Sequence, residues 1–174
     1  VPFNSCYWVE PEKFMAGNYP GDPDGDRAAA RIRFLLDAGV RHFIDLTSPG
    51  EGTRSGPLVP YAGLAEDLGR GYGGGVTFRQ IPIPDMGVPD RALMSEILDL
   101  IDEKMDNGGA VYVHCLGGYA RTGTVVGCWL LHSGRATPAN VLETIEELRK
   151  AVRFSLFPSP QTREQRDFVV RWRG

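Results

Sequence analysis

Residues 114–124, HCLGGYARTGT, bring a histidine, a cysteine, two glycines and an arginine into one short segment. The apolar run AVYV precedes this segment and a second apolar run follows it, so the pattern predicts a strand that turns directly into a helix. Backbone N–H groups at such a turn point into the loop and can hold an anion. We therefore predict a phosphate-binding loop formed by Leu116, Gly117, Gly118, Tyr119, Ala120 and Arg121.

Cys115 stands at the mouth of this predicted loop. The inward N–H groups and the positive end of the helix dipole favour its thiolate over its thiol, which makes Cys115 a candidate nucleophile. Arg121 offers a planar guanidinium that can bind two phosphate oxygens. Thr122 can donate a hydrogen bond to the sulfur, and His114 is expected to orient the loop. For a lone cysteine at a strand end, the alternative is an inert apolar residue.

The order of these residues fits the pattern H-C-x-x-G-x-x-R-T-G, through His114, Cys115, Gly118, Arg121, Thr122 and Gly123. This pattern resembles the signature loop (Cys, five residues, Arg) of the cysteine-dependent protein tyrosine and dual-specificity phosphatases. One departure is Ala120, where many members carry glycine or serine. The resemblance implies a protein tyrosine phosphatase-like fold, hydrolysis of phosphomonoesters through a phosphocysteine intermediate, and no need for a metal ion or another cofactor.

A proton donor for the leaving group is implied by the segment IPDMGVP, residues 83–89. It resembles the mobile acid loop W-P-D-x-G-x-P of tyrosine phosphatases, with Ile83 in place of tryptophan. The resemblance makes Asp85 the general acid. Taken alone, Pro-Asp followed by Gly is typical of a turn. Asp90 is a competing carboxylate, but its place before a helical pattern favours an N-cap.

The segment PQTREQRDF, residues 160–168, resembles the Q-T-x-x-Q-x-x-F segment of tyrosine phosphatases. The resemblance implies that Gln161 positions the water that hydrolyses the phosphocysteine, with Gln165 as its helper. A solvated first turn of an amphipathic helix remains the alternative at this position.

The prediction of the substrate class depends on one missing motif and on one further resemblance. No segment matches the K-N-R-Y recognition motif of strict tyrosine phosphatases, and the acid loop also resembles that of the kinase-associated phosphatases. These features favour a shallow site for phosphorylated protein or peptide, with phosphotyrosine, phosphoserine and phosphothreonine as candidates and phosphate, vanadate or tungstate as site ligands. A phosphoinositide or small phosphoester phosphatase, a rhodanese-like sulfurtransferase and a non-catalytic phosphoprotein-binding domain stay as alternatives.

The composition of the chain limits its domain count, its partners and its location. The 174 residues are 42% hydrophobic and 24% charged, which predicts one catalytic domain over residues 1–174. A net charge of −3 argues against nucleic acid or an anionic membrane as a partner. Apolar runs are shorter than the roughly 20 residues of a membrane helix, so we expect a cytoplasmic protein. Cys6, Cys115 and Cys128 form no metal-like pair, which predicts neither disulfides nor a zinc site.

The elements that position these residues follow from hydrophobic periodicity and turn signals. Alternating strand and helix patterns predict an α/β fold with a central, largely parallel twisted sheet flanked by helices. Strands are predicted at 40–46, 76–83 and 110–114, and helices at 26–39, 60–69, 90–107, 122–132, 138–150 and 160–172. The glycine-rich residues 69–75 are predicted to form a loop.

Overall fold

A five-stranded sheet forms the centre of the computed structural model, which describes residues 3–153 and 155–174. The strands in chain order are β1 (Cys6–Glu10), β2 (Phe14–Gly17), β3 (Val40–Asp45), β4 (Gly52–Thr53), β5 (Gly56–Pro57), β6 (Thr77–Gln80) and β7 (Ala110–His114). The main sheet has the order β1-β2-β7-β3-β6, and β4 and β5 pair separately as a short hairpin. Strands β2, β7, β3 and β6 are mutually parallel, whereas β1 runs antiparallel to β2 at one edge.

Helices cover both faces of the sheet, which confirms the predicted fold class. They are α1 (Gly25–Asp37), α2 (Ala62–Gly69), α3 (Arg91–Asp106), α4 (Arg121–His132), α5 (Val141–Leu148) and α6 (Arg163–Val170). Residues from α1 and α2 pack on one face, and residues from α3 to α6 pack on the other. Among the residues that the structure describes, no helix is both long enough and apolar enough to cross a bilayer.

The core lies in two layers, one on each side of the sheet. On the first side, Leu35 of α1 packs in the same cluster as Phe43 of β3. On the second side, Trp129 of α4 packs edge-to-face on Phe14 of β2, with ring centroids 5.1 Å apart. Each of these side chains is almost fully buried, and burial of one such side chain contributes about 1.5–3 kcal/mol to folding.

Several helix ends agree with the sequence signals. Asp90 caps α3, because its carboxylate accepts a hydrogen bond from the backbone N–H of Leu93 at 2.8 Å. Gly39, with φ at +93°, follows the end of α1, as a helix-terminating glycine does.

The predicted first residues of two helices are wrong. Helix α5 does not begin at Pro138, because the Asn140 side chain accepts from the backbone N–H of Thr137 and holds a turn there. Helix α6 does not begin at Pro160, because Thr162 and Gln165 form a capping box that starts the helix at Arg163. The predicted loop at 69–75 contains a short 3₁₀ turn over Arg70–Tyr72.

The first two strands and the β4–β5 hairpin are absent from the prediction. Strand β2 reads FMAG and is buried on both faces, so it shows no alternation of apolar and polar residues. The hairpin strands have only two residues each, too few for a periodic pattern.

Candidate active site

The predicted phosphate loop joins the end of β7 to the start of α4 and lies against the end of β2. Gly118 has φ at +75°, and a Cβ added there would stand 2.6 Å from the backbone nitrogen of Asn18. Only glycine fits this close approach. On the other side of the loop, the N–H of Tyr19 donates to the carbonyl of Leu116 at 3.1 Å. The loop is therefore held by the segment that follows β2.

Cys115 lies at the base of this loop and is 1% exposed. The backbone N–H of Gly118 donates to its sulfur at 3.3 Å. The sulfur is therefore in direct contact with the backbone of the loop. Cys128 lies in the core of α4, where burial raises the pKa of its thiol. Burial also raises the pKa of Cys6, to about 12.

Arg121 begins α4 and is 1% exposed, with its guanidinium held on one side by Glu51. Nη1 and Nη2 donate to the two carboxylate oxygens of Glu51 at 2.7 and 2.6 Å. Nη1 also reaches the carbonyls of Ile83, at 3.2 Å, and Leu46, at 3.4 Å. Within the described part of the chain, the buried Nε has no hydrogen-bond partner. The guanidinium thus keeps an unused donor for an anion.

Charges in the site reinforce this ion pair. Burial acts to lower the pKa of Arg121, but the hydrogen bonds that it donates to Glu51 and the charges of Cys115, Glu51 and Asp85 raise the pKa further than burial lowers it. The pKa of Glu51 is lowered, chiefly by its hydrogen bonds with Arg121. Both partners are therefore ionised at neutral pH.

Asp85 lies beside the same guanidinium, on the segment between β6 and α3. Its Oδ1 is 3.2 Å from Arg121 Nη2, and its side chain is 59% exposed. The same oxygen accepts the backbone N–H of Met86, whose φ is +62°. Asp85 is thus close to the guanidinium of Arg121 and open to solvent.

His114 is buried behind Cys115 in a polar network. Its Nε2 lies 2.5 Å from the hydroxyl of Tyr61, and its Nδ1 lies 3.8 Å from Oδ1 of Asp45. Burial lowers the pKa of His114, although Asp45 and a backbone contact with Cys115 act in the opposite direction. Burial also raises the pKa of Tyr61 well above its ordinary value, so the phenol keeps its proton. The lowered pKa of His114 favours the neutral ring in this network.

The structure places the side chains of the predicted phosphate loop around its rim. Leu116, Gly117 and Tyr119 are half-buried, whereas Ala120 is buried and its carbonyl accepts the N–H of Thr124 in the first turn of α4. The ring of Tyr119 stacks on Phe157, with centroids 5.4 Å apart. None of these side chains is cationic, so the backbone and Arg121 supply the donors of this loop.

The structure brings the remaining predicted residues to the same region with different contacts. The hydroxyl of Thr122 donates to the carbonyl of Gly17 at 3.5 Å, rather than to the sulfur. Gln165 is buried, and its Nε2 donates to the carbonyl of Gly87 at 2.9 Å, which ties α6 to the segment that carries Asp85. Gln161 is half-buried, and its backbone N–H donates to Gln165 Oε1 at 3.2 Å.

Two residues of the site, Glu51 and Tyr61, could not be identified from the sequence. Glu51 lies between β3 and β4 in the segment SPGEG, which looks like an ordinary turn. Tyr61 precedes α2 and looks like a core aromatic residue. No spacing in the sequence links either residue to the phosphate loop, because both contacts form only when the loops after β3 fold over the end of the sheet. Among the described residues, no cluster of three or more histidine, cysteine or carboxylate side chains is arranged for a metal ion.

The fold and this loop resemble those of the dual-specificity-type phosphatases. A family model described as "Polymorphic toxin system, DSP-PTPase phosphatase" (Tc-R-P) matches residues 21–135, which include Glu51, Asp85, Cys115 and Arg121. The match covers more than half of the chain, and the chain belongs to this family.

Curated relatives match parts of this chain, and one of those described below is named a dual specificity phosphatase. An uncharacterised protein of Methanocaldococcus jannaschii is 35% identical over 92 residues, which are 53% of this chain and 56% of the relative. Cyclin-dependent kinase inhibitor 3 of Sus scrofa is 33% identical over 76 residues, which are 43% of this chain and 36% of the relative. The dual specificity protein phosphatase CDC14B of Mus musculus is 39% identical over 66 residues, 38% of this chain and 12% of the relative. The matches thus span between about one eighth and just over half of these relatives.

Solved structures share the fold along nearly the whole chain. Tk-PTP in its active form is 25% identical with a TM-score of 0.67, and the match covers 95% of this chain and 93% of that one. Kinase-associated phosphatase is 21% identical with a TM-score of 0.69, with 97% and 93% covered. PTPMT1 in complex with PI(5)P is 20% identical with a TM-score of 0.66, with 95% and 92% covered.

Proposed function

We propose that residues 1–174 act as one catalytic domain that hydrolyses phosphomonoesters of protein residues, phosphotyrosine first and phosphoserine or phosphothreonine next, through a phosphocysteine intermediate. One observation carries this proposal. The sulfur of Cys115 accepts the N–H of Gly118 at 3.3 Å in the loop that Arg121 closes, and the buried Nε of Arg121 has no partner among the described residues. This arrangement suits a nucleophile beneath a bound dianion.

Substrate binding would use the backbone of the loop and one edge of the guanidinium. The phosphate oxygens would accept from the N–H groups of residues 116–121 and from Arg121 Nε. Glu51 occupies the other edge at 2.6 and 2.7 Å and so fixes the plane of the guanidinium before substrate arrives. A preset orientation lowers the cost of stabilising charge in the transition state.

In the first step, the thiolate of Cys115 attacks phosphorus in line with the leaving oxygen. The S–P bond forms, the P–O ester bond breaks, and protonated Asp85 gives its proton to the leaving oxygen. The position of Asp85, 3.2 Å from Arg121 Nη2, supports this role because the guanidinium would bind the same phosphate.

In the second step, a water molecule attacks the phosphocysteine. The new O–P bond forms, the S–P bond breaks, and the carboxylate of Asp85 takes the proton from the water. Gln161 would hold that water, since Gln165 links its segment to the carbonyl of Gly87 on the acid loop. Thr122 would stabilise the returning thiolate by turning its hydroxyl from the carbonyl of Gly17, a contact of 3.5 Å that is weak enough to exchange.

A protein substrate is favoured over a polyphosphorylated lipid because the rim of the loop has no lysine. Its variable side chains are those of Leu116, Tyr119 and Ala120, with Gly117, none of which would bind a second phosphate. The sulfurtransferase alternative gives no role to Asp85 or to its contact with Arg121.

The test is a substrate panel with the intact chain and its Cys115→Ser variant. Phosphotyrosine, phosphoserine and phosphothreonine peptides, phosphoinositide vesicles and thiosulfate are supplied in parallel. We expect release of phosphate from the peptides by the intact chain alone, with inhibition by vanadate or tungstate. Phosphate release that survives in the Cys115→Ser variant would contradict the mechanism. Sulfur transfer from thiosulfate would indicate a sulfurtransferase instead of a phosphatase. Faster hydrolysis of the phosphoinositide than of the peptides would indicate a lipid substrate instead of a protein.

A further inference from the structure

A groove lies beside the phosphate loop, between α5 and the segment that leads to α6. We call it the α5 groove and define it by Glu143, Glu146, Glu147, Leu156, Phe157 and Pro158. It encloses about 630 Å³, the size of a site for several residues of a peptide.

Apolar side chains in the α5 groove face water. Leu156 is 98% exposed, and Phe157 is 49% exposed. They are adjacent in the chain, so they form one apolar patch rather than two scattered residues. An exposed apolar patch with a polar border is typical of a surface that binds another protein.

The charged border of the α5 groove is acidic. Three exposed glutamates of α5 line it together with Lys150, which pairs with Glu147. Glu146 also interacts with the charge of the buried Arg149. The lining still carries three carboxylates against one lysine, so its net field is negative. Charge complementarity therefore selects a basic occupant with an apolar residue. The same carboxylates repel the anionic headgroups of a membrane.

The α5 groove is continuous with the phosphate loop through two rings. Phe157 stacks on Tyr119 of that loop, with an angle of 14° between the planes. A segment bound in the groove is therefore connected by a short path to a phosphorylated residue bound above Cys115.

We propose that the α5 groove docks a basic and apolar segment of the phosphorylated protein substrate, next to the phosphorylated residue. This inference rests on the proposed function and adds to it the chemistry that selects the substrate. The groove contributes to KM rather than to kcat, because its residues touch neither the phosphate nor the sulfur.

The experiment compares two phosphotyrosine peptides of equal length. In one, arginine and leucine flank the phosphotyrosine, and in the other, glutamate replaces each arginine. We expect about tenfold higher kcat/KM for the basic peptide, mostly through KM, since exposed charge pairs each contribute modestly. The variant Glu143→Lys/Glu146→Lys should invert this preference, and Leu156→Ser should lower kcat/KM for both peptides by about threefold.

Controls separate docking from folding and from net charge. The variant Glu96→Lys/Asp99→Lys makes the same change of charge on exposed positions of α3 and should keep the preference for the basic peptide. Hydrolysis of p-nitrophenyl phosphate should change less than about twofold in every variant, because this substrate does not reach the α5 groove. Equal kcat/KM for the two peptides, or faster hydrolysis of phosphoinositide vesicles than of the basic peptide, overturns the inference.

Failure of the proposed function would look different. The intact chain would then hydrolyse neither p-nitrophenyl phosphate nor either peptide. In that case, fluorescence anisotropy of the two labelled peptides with the same variants still tests the α5 groove. The docking proposal would be supported if the intact chain binds the basic peptide more tightly and Glu143→Lys/Glu146→Lys reverses this preference. Equal binding of the two peptides would overturn the proposal.

Discussion

The carboxylate of Glu51 and the guanidinium of Arg121 form a two-point ion pair across the active site, with contacts of 2.6 and 2.7 Å. Arg121 is nearly fully buried, so this pair decides where its remaining donors point. Glu51 comes from a turn with no pattern of its own, yet it fixes the plane of the predicted phosphate-binding arginine.

Replacement of Glu51 tests this relationship. Glu51→Gln keeps the shape but removes the charge, so the buried guanidinium loses the closer of its two carboxylate partners and keeps Asp85 at 3.2 Å. We expect kcat/KM to fall by about tenfold to a hundredfold and the free energy of unfolding to fall by about 1–3 kcal/mol. Steady-state kinetics and urea denaturation measure the two effects, with Glu96→Gln on the exposed surface of α3 as the matched control. Unchanged kinetics would show that Arg121 is positioned without Glu51.

Replacement of the nucleophile separates binding from chemistry. Cys115→Ser should lower turnover by about 10⁴-fold or more while the loop N–H groups and Arg121 still bind substrate. Isothermal titration with a phosphopeptide measures the retained binding. Cys128→Ser, in the core of α4, is the control and should keep turnover above Cys115→Ser by orders of magnitude.

The role of Asp85 depends on the leaving group. Asp85→Asn cannot donate a proton, so hydrolysis of an alkyl phosphate should slow by about 10²- to 10⁴-fold. Hydrolysis of p-nitrophenyl phosphate, whose leaving group needs little protonation, should slow much less. An equal loss with both esters would assign Asp85 a binding role instead.

Gln161 should act after the first step. Gln161→Ala is expected to slow breakdown of the phosphocysteine by about tenfold and leave its formation unchanged. Rapid-quench kinetics would then show a burst of alcohol release before the slower steady state. Gln161→Glu, which keeps an oxygen acceptor, is the matched comparison. A variant with full turnover and no burst would favour the solvated-turn alternative.

Acid should destabilise the fold through His114. Its folded pKa lies below its ordinary value of 6.5, so the unfolded chain binds more protons at this residue as pH falls. This contribution to stability is therefore complete above pH 6.5 and is lost as pH falls through the lower folded pKa. Urea denaturation between pH 7.5 and 5 measures the loss. The slope of the unfolding free energy against pH should be smaller in His114→Asn than in the intact chain. An equal slope would show that other groups cause the loss.

Hydrophobic patterns and turn signals were sufficient to predict three of the four parallel strands, β3, β6 and β7, and most of the helices, of which α3 and α4 carry long apolar repeats. The predicted phosphate loop could also be found in the sequence, since Cys115, Gly118 and Arg121 lie within seven consecutive residues. The structure places Asp85 beside Arg121, and the catalytic roles of these residues remain predictions.

Contacts between residues that are far apart in the sequence could not be predicted from local patterns. Glu51 is 70 positions from Arg121, and Tyr61 is 53 positions from His114. Each pairing depends on how a loop folds over the sheet rather than on local spacing. Strand β2 was missed for a related reason, because its four residues gain their structure only from neighbours on both sides.

The close approach of Gly118 to Asn18 couples the loop around Cys115 to the N-terminal hairpin of β1 and β2. This loop packs against the end of β2, and β2 in turn pairs with β7. An anion held by this loop, such as vanadate, would therefore also stabilise the attachment of β1 and β2 to the rest of the sheet.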